Sequence, residues 1–486
     1  MELVMIHGRE KEKALLKRLL SSKRAEFLAI YGRRRIGKTF LIHEFFKKEG
    51  VFFEVTGSNK APMKEQIKNF YNEFKALFPE DAPPSVPSNW TDLFNHLKNA
   101  ILKIDPAVKF IFFIDELPWL ATPKSRFLSA LDYFWNRHLS NCSNAILIIC
   151  GSAAHWMIKK VVNDKGGLYG RLSAQIKLES FTLSEMEKFL SEEGIHIKRK
   201  QLIELYMAFG GVAKYLTHIS AGKSSAQIIN DLCFTPNGFL FSEFPKLYES
   251  LFDGSEKHIA IIRALAKKRR GLYQNDLLKE ANLPYGGTTT TVLHELEESG
   301  FIMSFLSFGK ESREKLFRLV DEYSFFYLTW VEEVRSNILR SFDKEYWHKM
   351  HKTPIWYAWS GHVFENICLK HSIKIKEALG LSGITTLESQ WQYIPPKRSL
   401  EEGAEIDLVI DRADDCINLC EIKFCDGVFE INKKYAGNLE RKKEVFQKVT
   451  GTRKTIFLTM ITPFGVKENE HYIGLVNQQL TFDALF

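Results

Sequence analysis

The sequence predicts an α/β protein whose first half is built on a doubly wound parallel sheet. Two observations indicate this fold. Short apolar runs alternate with amphipathic stretches of helix length, and a glycine-rich turn joins the first run to the next helix. Near-continuous apolar runs are typical of strands that helices cover on both faces. The strands are predicted at Glu26–Tyr31, Val51–Val55, Phe110–Ile114 and Ala145–Cys150, with helices such as Met63–Phe78 and Ser125–His138 between them.

Composition excludes several classes of protein. The 486 residues are 45% hydrophobic and 26% charged, which is typical of globular domains, and the length suggests about three of them. The chain has neither the long apolar run of a membrane helix nor a signal peptide, and seven cysteines are too few for a disulfide scaffold. We therefore expect a cytoplasmic protein with reduced thiols and no membrane partner. The net charge of +8 permits nucleic-acid binding without requiring it.

The rest of the chain is predicted to add a helical lid, a winged helix-turn-helix and a final α/β domain. After Phe181 the pattern becomes helical, with a break at Gly210–Gly211. Three helix-like stretches followed by the short strands Phe301–Phe308 and Lys315–Val320 predict the winged helix. An aromatic helix over Tyr323–Arg340 leads to the last domain. The predicted boundaries are 1–180 for the core, 181–251 for the lid, 252–330 for the winged helix, 331–355 for a linker helix and 356–486 for the last domain.

The turn after the first strand is a candidate phosphate-binding loop, or P-loop. It fits the pattern G-x-x-x-x-G-K-[ST], follows a strand and opens a helix. The backbone N–H groups of such a loop face the phosphates, and the helix N-terminus adds positive potential. We expect Lys38 to reach the β- and γ-phosphates of ATP and the Thr39 hydroxyl to ligate Mg²⁺. The predicted ATP-binding residues of the loop are Gly32, Arg33, Arg34, Arg35, Ile36, Gly37, Lys38 and Thr39.

Two later strands end in polar residues that belong at the same edge of the sheet. The third predicted strand ends in Asp115-Glu116. Asp115 is expected to hold Mg²⁺ through water, and Glu116 to orient and deprotonate the attacking water. Ser152 follows the fourth strand and either contacts the γ-phosphate or the attacking water, or is part of an ordinary turn. Arg171, in the next loop, is either a γ-phosphate sensor or a surface arginine.

The order of these motifs resembles a known family. Ile6–Glu12 resembles the "GRExE" box that precedes the P-loop in STAND and origin-recognition-type ATPases. Gly210–Leu216 is similar to the G-G-x-P-x-Y-L segment of the lid in that family, with Ala213 in place of the proline. The chain thus resembles the archaeal-type ATPase family of STAND-like AAA+ proteins. The resemblance implies an ATPase in which Gly8 and Arg9 help to hold the adenine end of the nucleotide.

The predicted winged helix gives a mixed signal for DNA binding. Its expected recognition helix, Thr288–Glu298, has three glutamates and neither Arg nor Lys, which is unfavourable for a surface that approaches phosphates. A basic cluster, Lys267–Arg270, ends the first helix of the same domain. DNA binding by this domain and a role between domains or with a protein partner therefore both remain open.

Charged residues lie within two otherwise apolar predicted strands of the last domain, Glu405–Ile410 and Ile417–Phe424. A hairpin centred on the polar turn between them places Asp407 opposite Glu421, and Lys423 shares a face with Glu421. Buried charges of this kind are costly unless a partner or a metal compensates them. Asp407 and Glu421 are therefore candidate Mg²⁺ ligands, and Lys423 is a candidate to steady a nucleophilic water.

The same region resembles the PD-(D/E)xK, or restriction-endonuclease-like, fold over about the last 130 residues. The resemblance rests on this hairpin and on the helix Gly361–Asn366 upstream of it. It implies Glu365 as the acid of the first helix, with Asp407, Glu421 and Lys423 as the other catalytic residues. Members of that superfamily lose cleavage while they keep the fold. The alternative is thus a binding domain in which the four residues form a surface network.

The sequence as a whole predicts an ATP-binding, ATP-hydrolysing STAND-like AAA+ switch protein. Its lid and winged helix would transmit the nucleotide state to a nuclease-like domain that cleaves DNA with Mg²⁺. The alternative is a regulatory ATPase or scaffold whose inactive C-terminal domain binds a protein partner or DNA. ATP and Mg²⁺ are the expected cofactors. DNA, a protein partner and a second copy of this chain are the partners that remain open.

Overall fold

The computed structural model describes residues 6–163, 168, 170–252, 254–309, 315–341, 345–396 and 402–486. The chain forms two compact units, Met1–Ser180 and Phe181–Phe486, called unit 1 and unit 2 below. Among the residues described, no helix combines the length and the apolar character that a membrane crossing requires. All seven cysteines are free thiols.

Unit 1 alternates strands and helices along the chain. Its strands are β1 Glu26–Tyr31, β2 Val51–Thr56, β3 Phe110–Asp115, β4 Ala145–Gly151 and β5 Ala174–Lys177. Its helices are α1 Glu10–Leu20, α2 Lys38–Phe46, α3 Met63–Leu77, α4 Trp90–Ile101, α5 Leu117–Leu120, α6 Phe127–Arg137 and α7 Ala154–Met157. A 3₁₀ turn follows α6 at Leu139–Asn141, and a π-helical segment follows α7 at Ile158–Val162.

The five strands of unit 1 pair in parallel in the order β2-β3-β4-β1-β5. This order confirms the predicted doubly wound parallel sheet. Side chains alternate between the two faces of β1. Phe27 and Ala29 pack in the apolar core that α3, α4 and α6 complete, whereas Leu28 and Ile30 pack with residues of α1 and α2. Helices thus cover both faces, and the loops after β1, β3 and β4 meet at the carboxyl edge, where ligands of such sheets bind.

The sequence does not predict β5. The four residues Ala174–Lys177 pair with β1 at the edge of the sheet, and one of them, Ile176, is buried. A strand this short and half-exposed lacks the continuous apolar run by which β1, β3 and β4 are recognised.

Unit 2 begins with helices and ends in a mixed sheet. Its helices are α8 Leu183–Glu192, α9 Arg199–Phe209, α10 Ala213–Leu216, α11 Ser225–Cys233, α12 Glu243–Leu251, α13 Glu256–Lys267, α14 Gln274–Glu280, α15 Gly287–Glu298, α16 Glu322–Phe326, α17 Arg335–Ser341, α18 Tyr346–Met350, α19 Pro354–Lys370, α20 Ser372–Ala378 and α21 Lys433–Thr450. Its strands are β6 Leu272–Tyr273, β7 Ile302–Leu306, β8 Lys315–Leu319, β9 Thr386–Tyr393, β10 Ala404–Arg412, β11 Cys416–Ile422, β12 Thr455–Ile461 and β13 Gln478–Leu480. A π-helical segment lies at Tyr327–Val331 and a 3₁₀ turn at Phe482–Leu485.

Two sheets organise unit 2. The three-stranded module, residues 256–319, places α13, α14 and α15 beside an antiparallel sheet of order β6-β8-β7. The C-terminal module, residues 354–486, contains a sheet of order β13-β12-β11-β10-β9. In that sheet β9, β10 and β11 are antiparallel neighbours, and β11, β12 and β13 are parallel. One continuous apolar core joins α8–α12 to both modules.

The predicted aromatic helix over Tyr323–Arg340 is interrupted. The chain forms α16, then the π-helical segment Tyr327–Val331, and resumes as α17 at Arg335. The segment directs Trp330 into the core, where its ring centroid lies 5.3 Å from that of Trp347. A π-helical turn adds a residue to the helical repeat. Packing of these bulky rings thus overrides the regular helix that periodicity alone predicts.

Candidate functional site

The glycine-rich turn leaves β1 and opens α2 in a conformation that only glycine adopts readily. Gly32 has a φ of +144°, and a Cβ there would lie 2.3 Å from the carbonyl oxygen of Leu178. Gly37, the residue before α2, has a φ of +94°. Both values lie in the region that L side chains rarely occupy. The two glycines therefore fix the curl that the phosphate-binding pattern predicts.

The ammonium group of Lys38 lies inside this curl. Its side chain is buried, and Nζ donates to the carbonyl oxygens of Gly32 at 2.9 Å and Arg33 at 2.8 Å. Nζ also donates to Ser152 Oγ at 3.1 Å. A phosphate oxygen is a stronger acceptor than a carbonyl, because the hydrogen bond is then charge-assisted on both sides. Lys38 is thus held where bound phosphates can replace neutral acceptors.

Thr39 and Asp115 bring a hydroxyl and a carboxylate together across the sheet edge. Thr39 Oγ1 donates to Asp115 Oδ2 at 2.7 Å, and Glu116 N donates to Asp115 Oδ1 at 2.9 Å. Oxygen donors of these two kinds are the ligands that Mg²⁺ prefers, directly or through water. The donor set therefore fits a magnesium ion that accompanies a nucleotide.

Ser152 links the candidate base to the loop lysine. Its backbone N–H donates to Glu116 Oε2 at 3.2 Å and its hydroxyl to Glu116 Oε1 at 2.5 Å. Glu116, the residue after β3, has a left-handed backbone with a φ of +48°. Lys38, Ser152 and Glu116 thus form one chain of hydrogen bonds. The sequence analysis does not predict this chain.

The other predicted nucleotide-binding residues fall into two groups. Arg9 is buried, and its Nη2 donates to the carbonyl oxygen of Ile36 in the loop at 3.4 Å. Arg34 places its guanidinium 5.7 Å from the ring centroid of Trp119. Arg171, by contrast, is exposed in the loop that precedes β5. The structure therefore brings Arg9 to the loop and leaves the role of Arg171 a prediction.

The predicted residues of the C-terminal module also converge. Leu408 lies opposite Cys420 in the β10–β11 pair, which is the register that places Asp407 opposite Glu421. Lys423 Nζ lies 2.8 Å from Glu421 Oε1 and 3.7 Å from Asp407 Oδ2. The pairing of β10 with β9 shifts between Ile406 and Val409. We call Asp407, Glu421, Lys423 and Glu365 the carboxylate cluster.

Helix α21 adds two donors to the carboxylate cluster. Lys442 Nζ lies 2.6 Å from Glu421 Oε2, and Tyr435 OH donates to Glu421 Oε1 at 3.0 Å. Burial opposes ionisation of Glu421, but the positive charges of Lys423 and Lys442 outweigh it and lower the pKa of Glu421. Burial and the negative charges of Glu421 and Glu365 raise the pKa of Asp407 to about 7.

Glu365 reaches the cluster from α19 and is held by two side chains. Arg318 of β8 is 2% exposed, and its Nη1 lies 2.5 Å from Glu365 Oε1. Gln390 Nε2 donates to Glu365 Oε1 at 3.4 Å and to the carbonyl oxygen of Asp407 at 3.1 Å. The three-stranded module therefore supplies a buried cation to the acid that the sequence assigns to the first helix.

Metal binding by the carboxylate cluster would require a rearrangement. Both side-chain oxygens of Glu421 already accept from an ammonium group or a phenol. Across the described part of the chain, no group of three or more His, Cys, Asp and Glu is arranged to hold a metal ion. Asp407 and Glu421 offer the oxygen ligands that Mg²⁺ prefers, but an ion between them must first displace an ammonium group.

Comparisons with known proteins concern the glycine-rich loop and the residues around it, rather than the carboxylate cluster. Residues 7–219 match a family described as an ATPase domain predominantly from Archaea. Residues 7–219 are therefore similar to archaeal ATPase domains, and we call them the ATPase domain below. The match extends beyond unit 1 and takes in α8, α9 and α10, so the ATPase domain includes the segment Gly210–Leu216.

Part of this chain is also similar to other known proteins. An uncharacterized protein of Methanocaldococcus jannaschii is 30% identical over 217 residues, which is 44% of this chain and 44% of that protein. A Walker-type ATPase of Pyrococcus abyssi has a TM-score of 0.46 at 16% identity, over 66% of this chain and 96% of that one. The ORC2 protein of Aeropyrum pernix, in ADPNP–ADP complexes, has a TM-score of 0.43 at 14% identity, over 70% and 96%.

Four residues of the carboxylate cluster's surroundings are not among the predicted ones: Arg318, Gln390, Tyr435 and Lys442. Tyr435 and Lys442 are seven residues apart on α21, which is two helical turns, so they share a face. That spacing is the one signal in the sequence that joins them. Nothing local relates Arg318 or Gln390 to Glu365, because their contacts span 47 and 25 residues of chain.

Proposed function

We propose that this protein hydrolyses ATP at the loop Gly32–Thr39. The observation that carries the proposal is the chain of hydrogen bonds from Lys38 through Ser152 to Glu116. It joins the cation that would contact the γ-phosphate to the carboxylate that would accept a proton from water. The match of residues 7–219 to an ATPase family supports the same activity.

The residues of the loop would act in the following way. Lys38 exchanges the carbonyl oxygens of Gly32 and Arg33 for phosphate oxygens, which positions the γ-phosphate. Thr39 and Asp115 are the groups that would hold Mg²⁺, and the ion supplies charge neutralisation on the phosphates when bound. Glu116 then orients a water and takes its proton, while Ser152 keeps the carboxylate in place.

We also propose that the ATPase domain is part of a STAND-like switch that controls the C-terminal module. In this proposal α8–α12 are the lid and the three-stranded module is a winged helix. The order of helices and strands in that module supports this interpretation. The continuous core of unit 2 supports it as well, because a movement of the lid would be transmitted through packed side chains.

The reaction proposed for the C-terminal module is Mg²⁺-dependent cleavage of DNA at the carboxylate cluster. Asp407 and Glu421 are the residues that would hold the ion, which supplies Lewis acidity at the phosphate when bound. Lys423 would hold the nucleophilic water through its ammonium group, and Glu365 would assist from α19. The convergence of these four residues from one helix and two strands supports the proposal.

A second candidate function is a regulatory ATPase whose C-terminal module binds DNA or a protein without cleaving. One observation favours it. Lys442 and Lys423 already balance the charge of Glu421, so the carboxylate cluster is satisfied without a metal ion. In this case the four residues are a structural network in the module rather than a reaction centre.

Plasmid cleavage and phosphate release, measured on the same samples, separate these functions. The full chain is incubated with supercoiled plasmid and Mg²⁺, with and without ATP, as wild type, Glu421→Ala and Lys38→Ala. Nicking that disappears in Glu421→Ala supports the nuclease, and loss of its ATP dependence in Lys38→Ala supports control by the ATPase domain. ATP hydrolysis without nicking under any condition supports the regulatory candidate. Absence of ATP hydrolysis in the wild type contradicts both.

A further inference from the structure

Two arginines of the three-stranded module contact the C-terminal module, one at the carboxylate cluster and one close to it in the chain. Arg318 of β8 meets Glu365, as described above, and its Nη2 lies 3.4 Å from His362 Nδ1. Arg270 reaches the same sheet, with Nη1 3.0 Å from Glu405 Oε2 on β10. Glu405 precedes the cluster residue Asp407 by two positions. The module therefore lies directly beside the cluster.

A backbone contact fixes this arrangement. Phe308 N donates to the carbonyl oxygen of Gln390 at 2.9 Å, and the ring of Phe308 lies 5.1 Å from that of Phe446 on α21. Gln390 is also the residue whose side chain donates to Glu365. The two residues that follow β7 thus pair with β9 through one isolated parallel bridge, so main-chain pairing as well as ion pairs joins the three-stranded module to the C-terminal sheet.

Four consecutive basic residues end α13 at this junction. Lys267–Arg270, called the basic turn below, are all exposed. Gly271 closes the turn with a hydrogen bond from its N–H to the carbonyl oxygen of Lys268 at 2.8 Å. A Cβ on Gly271 would lie 2.7 Å from Phe317 O and 2.8 Å from Arg318 Cγ. The basic turn therefore sits against the strand that carries Arg318.

Only part of the charge of the basic turn is compensated. Arg270 pairs with Glu405, and Arg269 Nη1 lies 3.5 Å from the carbonyl oxygen of Ala358. Within the described ranges, no carboxylate lies at ion-pair distance from the ammonium group of Lys267 or Lys268. Two exposed cations that find no acidic partner among the described residues, next to a site proposed to act on phosphodiesters, suit an anionic ligand.

Helix α21 contributes further basic groups near the start of β10. Arg441 Nη1 donates to the carbonyl oxygen of Gly403 at 2.7 Å, two residues from the partner of Arg270. A cavity of about 490 Å³ lies against this helix, and its lining includes Lys434, Tyr435, Arg441 and one acidic residue, Glu402. Arg441 Nε pairs with Glu402 Oε2 at 3.1 Å, so the basic side chain of the cavity that is not ion-paired is Lys434, within the described part of the chain. Tyr435 is also the phenol that donates to Glu421. Basic side chains from two modules thus converge where β10 begins.

We propose that the basic turn and the cavity of α21 form one phosphate-binding rim beside the carboxylate cluster, and that its ligand is the sugar–phosphate backbone of DNA. A polymer with evenly spaced phosphates contacts cations from both modules at once, and binding of this kind is dominated by release of counterions. The expected recognition helix α15 is acidic, so the module would bind DNA through its basic turn rather than through that helix. The proposal depends on the proposed nuclease reaction for the choice of polymer, but binding itself requires no cleavage.

The test measures binding of a fluorescent 30-base-pair DNA duplex to the full chain by anisotropy, in EDTA so that nothing is cleaved. The test variant is Lys267→Gln/Lys268→Gln. The control variant, Lys17→Gln/Arg18→Gln, removes the same charge from the exposed end of another helix, α1. The test variant is expected to bind about tenfold more weakly at 0.1 M salt. The slope of log K against the logarithm of the salt concentration should be shallower by about 1.8. The control is expected to match the wild type.

Other results would overturn the proposal. Equal weakening in both variants would mean that DNA responds to overall charge, and an unchanged test variant would mean that the basic turn makes no contact. Competition by polyglutamate as effective as that by unlabelled duplex would identify an acidic polypeptide as the ligand instead.

Cleavage assays on the same variants keep this proposal separate from the nuclease. If the test variant cleaves and binds DNA as well as the wild type does, the proposed phosphate-binding rim is contradicted, whereas the proposed nuclease activity is supported. If the wild type never cleaves but the test variant binds more weakly than the control, the rim stands and the nuclease is wrong.

Discussion

Ser152 lies between two charged side chains of the ATPase domain and is hydrogen-bonded to both. Lys38 donates to its hydroxyl oxygen, and that hydroxyl donates to Glu116. A single small side chain thus couples the cation of the loop to the candidate base. The sequence locates Ser152 at the end of a strand, but the coupling depends on how far each side chain reaches across the sheet edge.

Replacing Ser152 with alanine is expected to slow hydrolysis more than it weakens nucleotide binding. Glu116 loses its Oγ donor, so the base is less well oriented, whereas Lys38 can still exchange its two carbonyl acceptors for phosphate oxygens. We expect kcat of phosphate release to fall about tenfold or more, with the nucleotide Kd changed by less than about threefold. The matched control is Ser125→Ala, a buried serine elsewhere in unit 1. A parallel loss of binding would contradict the assigned role.

Replacing Gly32 with alanine tests the backbone of the loop. The new Cβ would meet Leu178 O at 2.3 Å, and the φ of +144° is strained for alanine. We expect the free energy of unfolding of unit 1 to fall by about 2 kcal/mol or more, together with loss of nucleotide binding. Gly170→Ala is the control, because its φ is also positive but no atom lies within 4 Å of its Cβ position. That variant is expected to lose only about 1 kcal/mol in thermal or urea unfolding.

At the scale of helices and strands, the sequence predicts elements whose signal is local. The signals for β1, β3 and β4 are local, because each strand is one continuous apolar run. The signal for the β10–β11 hairpin is local too, because a short polar turn joins the two strands. The four residues of the carboxylate cluster are predicted, but the side chains that surround them are not, for the same reason. Asp407 and Glu421 are close along one hairpin, whereas Lys442 and Arg318 reach them through tertiary packing that no spacing in the chain encodes.

Helix α19 ends at a buried histidine whose protonation is expected to destabilise unit 2. His371 Nδ1 hydrogen-bonds the carbonyl oxygen of Ile367 at 2.8 Å, and its Nε2 accepts from Leu183 N at 3.3 Å. Burial lowers the pKa of His371 to about 4. Since this pKa is depressed on folding, the neutral form stabilises the fold fully above about pH 6.5, and this contribution is lost as the pH falls towards 4.

The free energy of unfolding of unit 2 is expected to fall by about 3 kcal/mol between pH 6.5 and 4 as His371 becomes protonated. Urea unfolding followed by tryptophan fluorescence, at half-unit steps of pH, would measure it. His371→Gln is expected to be less stable at pH 7 and to show a flatter pH dependence. His348→Gln, at an exposed position of α18, is the control and should retain the slope of the wild type.

For the whole molecule, the division into two units makes the proposed switch testable. The nucleotide loop lies in unit 1, while the carboxylate cluster lies in unit 2. If the ATPase domain controls unit 2, binding of a non-hydrolysable ATP analogue with Mg²⁺ should change the rate at which trypsin cuts within residues 181–486. We expect at least a threefold change, read from mass-mapped fragments.

Lys38→Ala provides the control for that experiment. It removes the ammonium group that the loop holds for the phosphates, so the analogue should no longer alter the digestion of unit 2. An unchanged digestion pattern in the wild type, with analogue binding verified on the same sample, would contradict the switch.

The contact between the residues after β7 and strand β9 has a consequence for exchanging the two modules between proteins. β9 is the last strand of its sheet, and Phe308 and Ser307 cover the backbone of Gln390 on it. Cutting the chain between the modules would expose that backbone as an open edge, which invites pairing with other molecules. The two modules are therefore not independent units, and a chimera that exchanges one must carry a matching segment of the other to keep that edge covered.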